Sequence, residues 1–330
     1  MPESVGKLGT LVVASDTGTH NYLNFLLDKV FIEDDDAYTG GSPFTELLKP
    51  SPNEFYEFFS NQKSVLVLVT ASNKNELKEL LEPFSDEEIE KAIQSSSAEY
   101  KESSDIFARY QHIVYVFAQD KKLLSNKLLA LEKKLRKLLV DHEIQDQFAK
   151  IYDQQDTTQD YEKDMKRELG MSFSVPEGFK LVEHKNGFWW FELNDNVNNT
   201  PRKIGLIAHT YPYKDSLYDY TYSSICANRD SIIKYHIKGE IKGTYMGTSE
   251  SDAYPARRLD MVSLNQRPFA KVRAWWNVDG IMMSGPFLRY ITRVPGTQKI
   301  FAFEGFIYKP TLDVKEKDLR IVESVALSIK

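Results

Sequence analysis

Apolar positions recur along the chain at two spacings, and the switch between them lays out the elements. Leu8 to Ala14 is a short run rich in Val and Leu, a strand signal. Ser15 and Asp16 are placed to cap a helix in which Tyr22, Phe25, Leu26 and Val30 recur at helical spacing. Asp34-Asp35-Asp36, Gly40-Gly41 and the prolines that follow predict a long loop. Val65 to Val69 is a continuous apolar strand, Ser85 with Glu88 forms a capping box for a helix through Ile89 and Ile93, and His112 to Phe117 reads as a third strand. A long helix follows from Lys121. Its stripe steps through Leu124, Leu128, Leu131, Leu135 and Leu138 before shifting to Ile144, Phe148 and Ile151. The strict repeat lasts too few heptads for a coiled coil, so the pattern predicts an amphipathic helix lying on the protein's own sheet. Gly170 is placed to end a short helix beyond the polar stretch Asp153 to Asp160.

Val175-Pro176-Glu177-Gly178 marks a boundary after which β signals dominate. Asn186-Gly187 between Phe179–Glu183 and Phe188–Leu193 is a two-residue hairpin signal. Ile204 to His209 reads as a strand and Leu217 to His236 as helix. Phe269–Trp276, Ile281–Val294 and Lys299–Tyr308 form a predicted antiparallel meander, turning at Asp279-Gly280 and Pro295-Gly296. Asp313 with Glu316 is placed to cap a closing helix carrying Leu319, Val322, Val325 and Ile329. The expected class is therefore α+β, with antiparallel or mixed sheets and helices packed on one face. Residues 1–170 make an α/β half with the long helix, and residues 171–330 a β-rich α+β half. Both run strand, helix, strands, helix, which leaves an internal duplication open, although no residue-level repeat accompanies it.

Charge separates the halves further. Residues 1–170 hold 20 Lys and Arg against 31 Asp and Glu, a net −11, whereas residues 171–330 hold 22 against 17, a net +5. Two surfaces with different partners are expected, and the basic excess is too small to point to nucleic acid. Hydrophobic residues, 42% of the 330, allow a sizeable core, and no apolar run approaches the roughly 18 residues a membrane helix needs. Cys226 is the single cysteine. It cannot form an internal disulfide or a Cys-rich zinc site, and its apolar neighbours predict a buried, inert thiol.

Motifs for chemistry are sparse. Asp16-Thr17-Gly18-Thr19 matches the aspartic-protease consensus, but no second copy occurs and a helix starts at once, so an N-cap is the expected role. His142-Glu143 lacks the second histidine of a zinc helix because position 146 is Asp146, and the six histidines show no ligand spacing. Gly243 to Thr248 lacks the Gly-Lys pair of a phosphate loop, and Met283-Ser284-Gly285 lacks the first glycine of a nucleophile elbow. No catalytic residue, cofactor or metal site is expected. The arginines say more. Two-residue hairpins would put Phe287, Arg289, Arg293, Glu304 and Phe306 on one sheet face, with Arg289 and Glu304 diagonal across neighbouring strands. Arg273 would point to the other face with Trp275 and Tyr290. A buried ion pair that fixes the sheet competes with an Arg-lined pocket for a carboxylate or phosphate. Arg229, Tyr245, Arg273, Arg289 and Glu304 are the candidate ligand-binding residues. Of Trp189-Trp190 and Trp275-Trp276, one of each pair is expected in the core.

Tyr211-Pro212-Tyr213, Asn228-Arg229-Asp230, Gly243-Thr244-Tyr245-Met246-Gly247-Thr248, Met283-Ser284-Gly285-Pro286-Phe287 and Glu304-Gly305-Phe306-Ile307-Tyr308-Lys309-Pro310 occur in order, with Val175-Pro176-Glu177-Gly178-Phe179 upstream. In these residues the second half resembles a family of Bacteroidota proteins, domain-of-unknown-function family 4837. The pattern departs at Arg273-Ala274-Trp275-Trp276, where Arg-Gly-Leu-Trp is expected. The resemblance implies an envelope lipoprotein whose leader ends in a lipidated cysteine just before Pro2, leaving an ectodomain on the periplasmic side of a membrane, attached only through that lipid. It implies no activity. The expected function is non-enzymatic binding of a partner protein or an anionic envelope ligand through the second half. The alternatives are a hydrolase acting on envelope glycan or peptide, and a structural subunit docking through the long helix.

Overall fold

Contacts divide the chain into two units, Met1–Asp35 with Ser42–Asp146, and Gln147 onwards to Lys330. The computed structural model describes residues 1–33, 42–153, 159–197, 199–251, 257–310 and 316–330. The loop expected around Asp34–Gly41 and the cap expected at Asp313 lie outside the described residues.

The first unit runs β1 (Thr10–Ala14), α1 (Thr17–Phe31), β2 (Glu46–Leu48), α2 (Pro52–Glu54), β3 (Ser64–Thr70), α3 (Asp86–Gln94), β4 (Lys101–Ser104), β5 (His112–Ala118) and α4 (Lys121–Asp153), whose residues to Asp146 belong here. Its sheet has the order β2-β1-β3-β5-β4, parallel except for β4 at the edge. Every residue of β1 and β3 is buried, so both faces of these Val- and Leu-rich strands need a cover. On one face α1 and α4 bring Leu23, Leu27, Leu124, Leu128, Leu131 and Leu135 onto Val13, Leu66, Leu68 and Val116. On the other, α3 and the turn at Lys78–Leu81 cover Val12, Val65, Val67, Tyr115 and Phe117. Helices on one face only was therefore wrong. The α4 stripe also continues through Leu139 rather than Leu138, which is only partly buried. A straight helix drifts from a seven-residue repeat, and this one follows its own 3.6-residue period.

The second unit contains α5 (Gln159–Leu169), β6 (Lys180–Lys185), β7 (Phe188–Val197), β8 (Thr200–Pro212), α6 (Ser216–Asp219), α7 (Tyr222–His236), β9 (Met246–Thr248), β10 (Arg258–Leu264), β11 (Arg267–Val278), β12 (Met283–Arg293), β13 (Lys299–Tyr308) and α8 (Glu316–Leu327). Its sheet has the order β10-β11-β12-β13-β8-β7-β6, antiparallel throughout, with β9 along the rest of β11. On one face α5 and α8 pack Met165, Leu319, Val322 and Val325 against Phe191, Leu206, Leu288 and Phe303. On the other, α7 sets Ile225, Cys226 and Ile233 on Ile207, Val272, Phe287 and Ala302. The class is α+β, as the periodicity predicts. The duplication left open by the element order fails, because one sheet is mostly parallel and the other antiparallel.

Turn chemistry fixes the register. Asn186 and Gly187 carry φ of 51° and 74° and join Lys185 directly to Phe188, the two-residue turn expected. The other two turns are longer. Val278 pairs with Met283, and Val294 N–H donates to Lys299 O (2.9 Å) around Pro295 to Gln298. Gly296 has φ of +69° and Thr297 N–H closes on Val294 O at 3.2 Å, a Pro-Gly turn whose twist does not match paired strands and so takes extra residues. Each extra pair keeps the parity, so every predicted face survives while Arg289 and Glu304 move from diagonal to directly opposite. Trp189 and Trp276 are each 2% exposed, the core member of its pair. Gly305 lets α8 lie close: a Cβ there would sit 2.2 Å from Val322 Cγ1.

Candidate functional site

The candidate residues meet on the α7 face of the second sheet. Arg289 of β12 and Glu304 of β13 are register partners, and both are 0% exposed. Arg289 Nη1 donates to Glu304 Oε2 at 3.0 Å. Arg229 interrupts the buried stripe of α7 between Ile225 and Ile233. Its Nε donates to both Glu304 oxygens, at 2.9 and 3.0 Å, and its Nη1 to Asp230 Oδ1 at 2.8 Å. Its guanidinium carbon lies 4.2 Å from the centre of the Phe287 ring. Asp230 in turn accepts from Thr248 N–H (3.0 and 3.1 Å) and Thr248 Oγ1 (2.9 Å), which ties β9 to α7. Arg289 Nη2 lies 3.1 Å from His209 Nε2 on β8. A guanidinium only donates, so Nε2 accepts and the neutral ring carries its proton on Nδ1.

Two cations thus face two carboxylates. Burial pushes the Arg229 guanidinium down, but Glu304 and Asp230 more than offset it, and the net direction is up. Burial and then Arg289 hold His209 well below the usual imidazole range. Tyr211 is pushed up to about 12, mainly by burial, and Cys226, buried as expected, has its thiol raised chiefly by that burial. Arg229 Nη2 and Arg289 Nε are enclosed without a hydrogen-bond partner among the described residues. Each such omission costs about 1–3 kcal/mol, so the cluster dictates geometry more than it adds stability.

Of the five candidates, Arg229, Arg289 and Glu304 come together. Tyr245 does not join them: it precedes Met246, whose side chain is buried and whose carbonyl takes the 3.4 Å contact from Arg229. Arg273 pairs with Leu288 on the opposite face, beside Lys271, Glu323 and Tyr290. That placement follows its predicted parity and removes it from the site. His209, Asp230 and Thr248 were missed. Asp230 was within view as the neighbour of Arg229, but nothing in the sequence brings His209 of β8 to β12.

The Asp-Thr-Gly segment is a helix cap. Asp16 accepts from Thr19 N–H (2.9 Å), Thr19 Oγ1 (2.5 Å) and Asn73 Nδ2 (2.7 Å). Burial alone would raise its carboxyl, but these bonds and Lys121 outweigh it and hold the group ionised.

Polar contacts of a different kind gather where β13 begins. Lys299 pairs with Pro212, and Tyr213 N–H donates to Gln298 O at 3.0 Å. Arg293 stacks its guanidinium 4.6 Å from the Tyr213 ring centre, and Lys214 Nζ lies 4.7 Å from that of Tyr218. Lys214, Arg293 and Lys299 are exposed, and the adjoining Leu217 is 88% exposed.

An antiparallel sheet between two helical layers, held inside by an enclosed Arg–Glu–Arg cluster, defines the class of the second unit. Residues 158–328 match the family described as Domain of unknown function (DUF4837); the match takes in more than half of the 330 residues, and the chain belongs to that family. No curated protein matches the chain. Among solved structures, the Ran-binding protein Mog1p of Saccharomyces cerevisiae overlaps 48% of this chain and 89% of its own at 7% identity and a TM-score of 0.31. LpqN, involved in cell envelope biogenesis of Mycobacterium tuberculosis, overlaps 48% and 79% at 9% identity and a TM-score of 0.26. Overlaps of this quality carry nothing about function.

Removing the shared carboxylate leaves two buried guanidinium groups against a neutral amide. Glu304→Gln is expected to cost about 3–5 kcal/mol in urea unfolding, and a loss below about 1 kcal/mol would mean that the cluster is not enclosed. His209 gives a pH signature. Its folded pKa lies below its unfolded value, so its contribution is complete above about pH 6.5 and is lost as pH falls, when the unfolded chain takes a proton that the folded one refuses. His209→Gln keeps an acceptor for Arg289 and cannot titrate. It is expected to flatten the acid limb of the stability curve by about 1.4 kcal/mol per pH unit relative to wild type; superimposable slopes would contradict this.

Proposed function

We propose that the protein is a non-catalytic, lipid-tethered binding module of the cell envelope that meets an anionic envelope group at the sheet end around Tyr213. The observation that carries this is the exposed set of Lys214, Arg293 and Lys299, two of them stacked on tyrosines and adjoined by an outward Leu217. Cations over aromatic faces keep their charge available while losing little side-chain freedom, and a neighbouring apolar tip suits a headgroup layer. The enclosed cluster supports the same view from inside. Arg229 and Arg289 are offset by Glu304 and Asp230, so the +5 of residues 171–330 rests on other side chains. An arginine pocket at Arg289 loses its support, because Arg289 and Glu304 are shut away together. The aspartic-protease motif gives no support to the hydrolase alternative, because the Asp16 oxygens are committed to capping α1 and holding Asn73.

Two measurements test this. The full-length precursor is expected to incorporate labelled palmitate; an unlabelled cytosolic product would end the envelope assignment. The chain is expected to bind phosphatidylglycerol vesicles but not phosphatidylcholine vesicles, more weakly as salt rises. Reversing Lys214, Arg293 and Lys299 together to Glu should abolish binding without changing the melting temperature. Equal binding by the reversed variant would refute the surface.

A further inference from the structure

A second constellation lies in the first unit, assembled from three elements. In β5 the alternation that sends Val114 and Val116 toward α4 also sends His112 there. Glu102 on β4 pairs with Val114 and shares that face. From the helix, His142 continues the stripe of Leu128, Leu131, Leu135 and Leu139 and comes down on the same spot. The two imidazoles stack with centres 3.2 Å apart and planes inclined by 13°. His142 Nε2 lies 3.3 Å from Glu102 Oε2, and one ligand atom from each of the three residues falls within 4.8 Å of the others. Nδ1 of His112 and Nδ1 of His142 are enclosed with no hydrogen-bond partner among the described residues.

We infer that Glu102, His112 and His142 form a binding site for a divalent transition ion, zinc by preference, that clamps α4 to the β4–β5 edge. Two imidazole nitrogens and one carboxylate oxygen suit zinc and are too nitrogen-rich for calcium or magnesium. Metal binding takes each imidazole in its neutral form, with a lone pair on one ring nitrogen. The Glu102 side chain, 38% exposed, leaves an approach from solvent, and Asp105 adds negative charge near His112. Tetrahedral zinc brings its ligand atoms to roughly 3.3 Å from one another. Near-parallel rings aim their lone pairs side by side, so binding turns one ring out of the stack and draws Glu102 inward.

Isothermal titration of the tag-free, chelator-stripped full chain with zinc alone is the test, with calcium and magnesium as controls. Wild type is expected to take up one equivalent, with a rise in melting temperature that calcium and magnesium do not give. His142→Ala and Glu102→Gln should each weaken zinc binding at least about tenfold. Glu102→Gln, at the exposed edge, should melt like wild type in chelator, so its loss of zinc cannot be ascribed to misfolding. No saturable uptake by wild type, or equal affinity in both variants, overturns the site.

Discussion

Glu304 is the group on which the interior of the second unit depends. One carboxylate lies between two guanidinium groups, all three fully enclosed. Such charges cannot be tolerated singly in low dielectric, so each constrains the element that carries it. Arg289 holds β12 in register with β13, Arg229 sets the depth and rotation of α7 on the sheet, and Asp230 extends the link to β9 through Thr248. His209 adds β8 by taking the remaining arm of Arg289. A purely apolar core could slip by one helical turn or one strand pair at modest loss; this one cannot without stranding a charge. Asn228-Arg229-Asp230, Met246 to Thr248, Phe287 and Glu304 come from distant parts of the chain and meet at one point.

The sequence made the faces legible but not the distances. Parity along β11, β12 and β13 placed Arg289 with Glu304 and put Arg273 behind them, because side-chain alternation survives any change of turn length by two residues. It could not tell diagonal from opposite, since that difference lies in whether Pro295-Gly296 closes the hairpin alone or with Thr297 and Gln298. Helix caps were legible for a similar reason: Asp16 and Ser85 act on residues three positions away. His209 was illegible because its role is defined by strand order β12-β13-β8, which no local pattern encodes. Glu46–Leu48, Lys101–Ser104 and Arg258–Leu264 escaped as strands for want of an apolar signature; each lies at a sheet edge, where partners rather than burial define the strand.

The one-sided arrangement of helices failed on a point of chemistry. Alternation in a strand shows which residues share a face, but Ser64 to Thr70 is buried at every position. A run that apolar has no outer face, and the parallel connections into β3 and β5 supply the helices that close both sides. In the second unit the same conclusion rests on two stripes rather than one: Leu206 and Phe303 look toward α8 while Ile207 and Ala302 look toward α7.

Histidines make the limit of linear spacing plainest. A zinc motif on one helix is readable because i and i+4 are neighbours, and on that test His142 fails at Asp146. Yet the sheet supplies what the helix lacks. His112 and Glu102 sit on adjacent antiparallel strands, where sequence separation says nothing about distance, and α4 crosses them with His142 in the position its leucine stripe dictates. The same physics that buries Leu131 and Leu135 therefore carries His142 onto His112 and Glu102. At Arg289 a buried charge answers to another fixed charge, although its Nε finds no partner among the described residues. At His142 the buried Nδ1 answers to nothing the described chain provides. What separates the two clusters is the donor set: Glu304 neutralises two fixed cations from inside the fold, whereas Glu102 and two imidazoles offer one oxygen and two nitrogens within reach of a single ion.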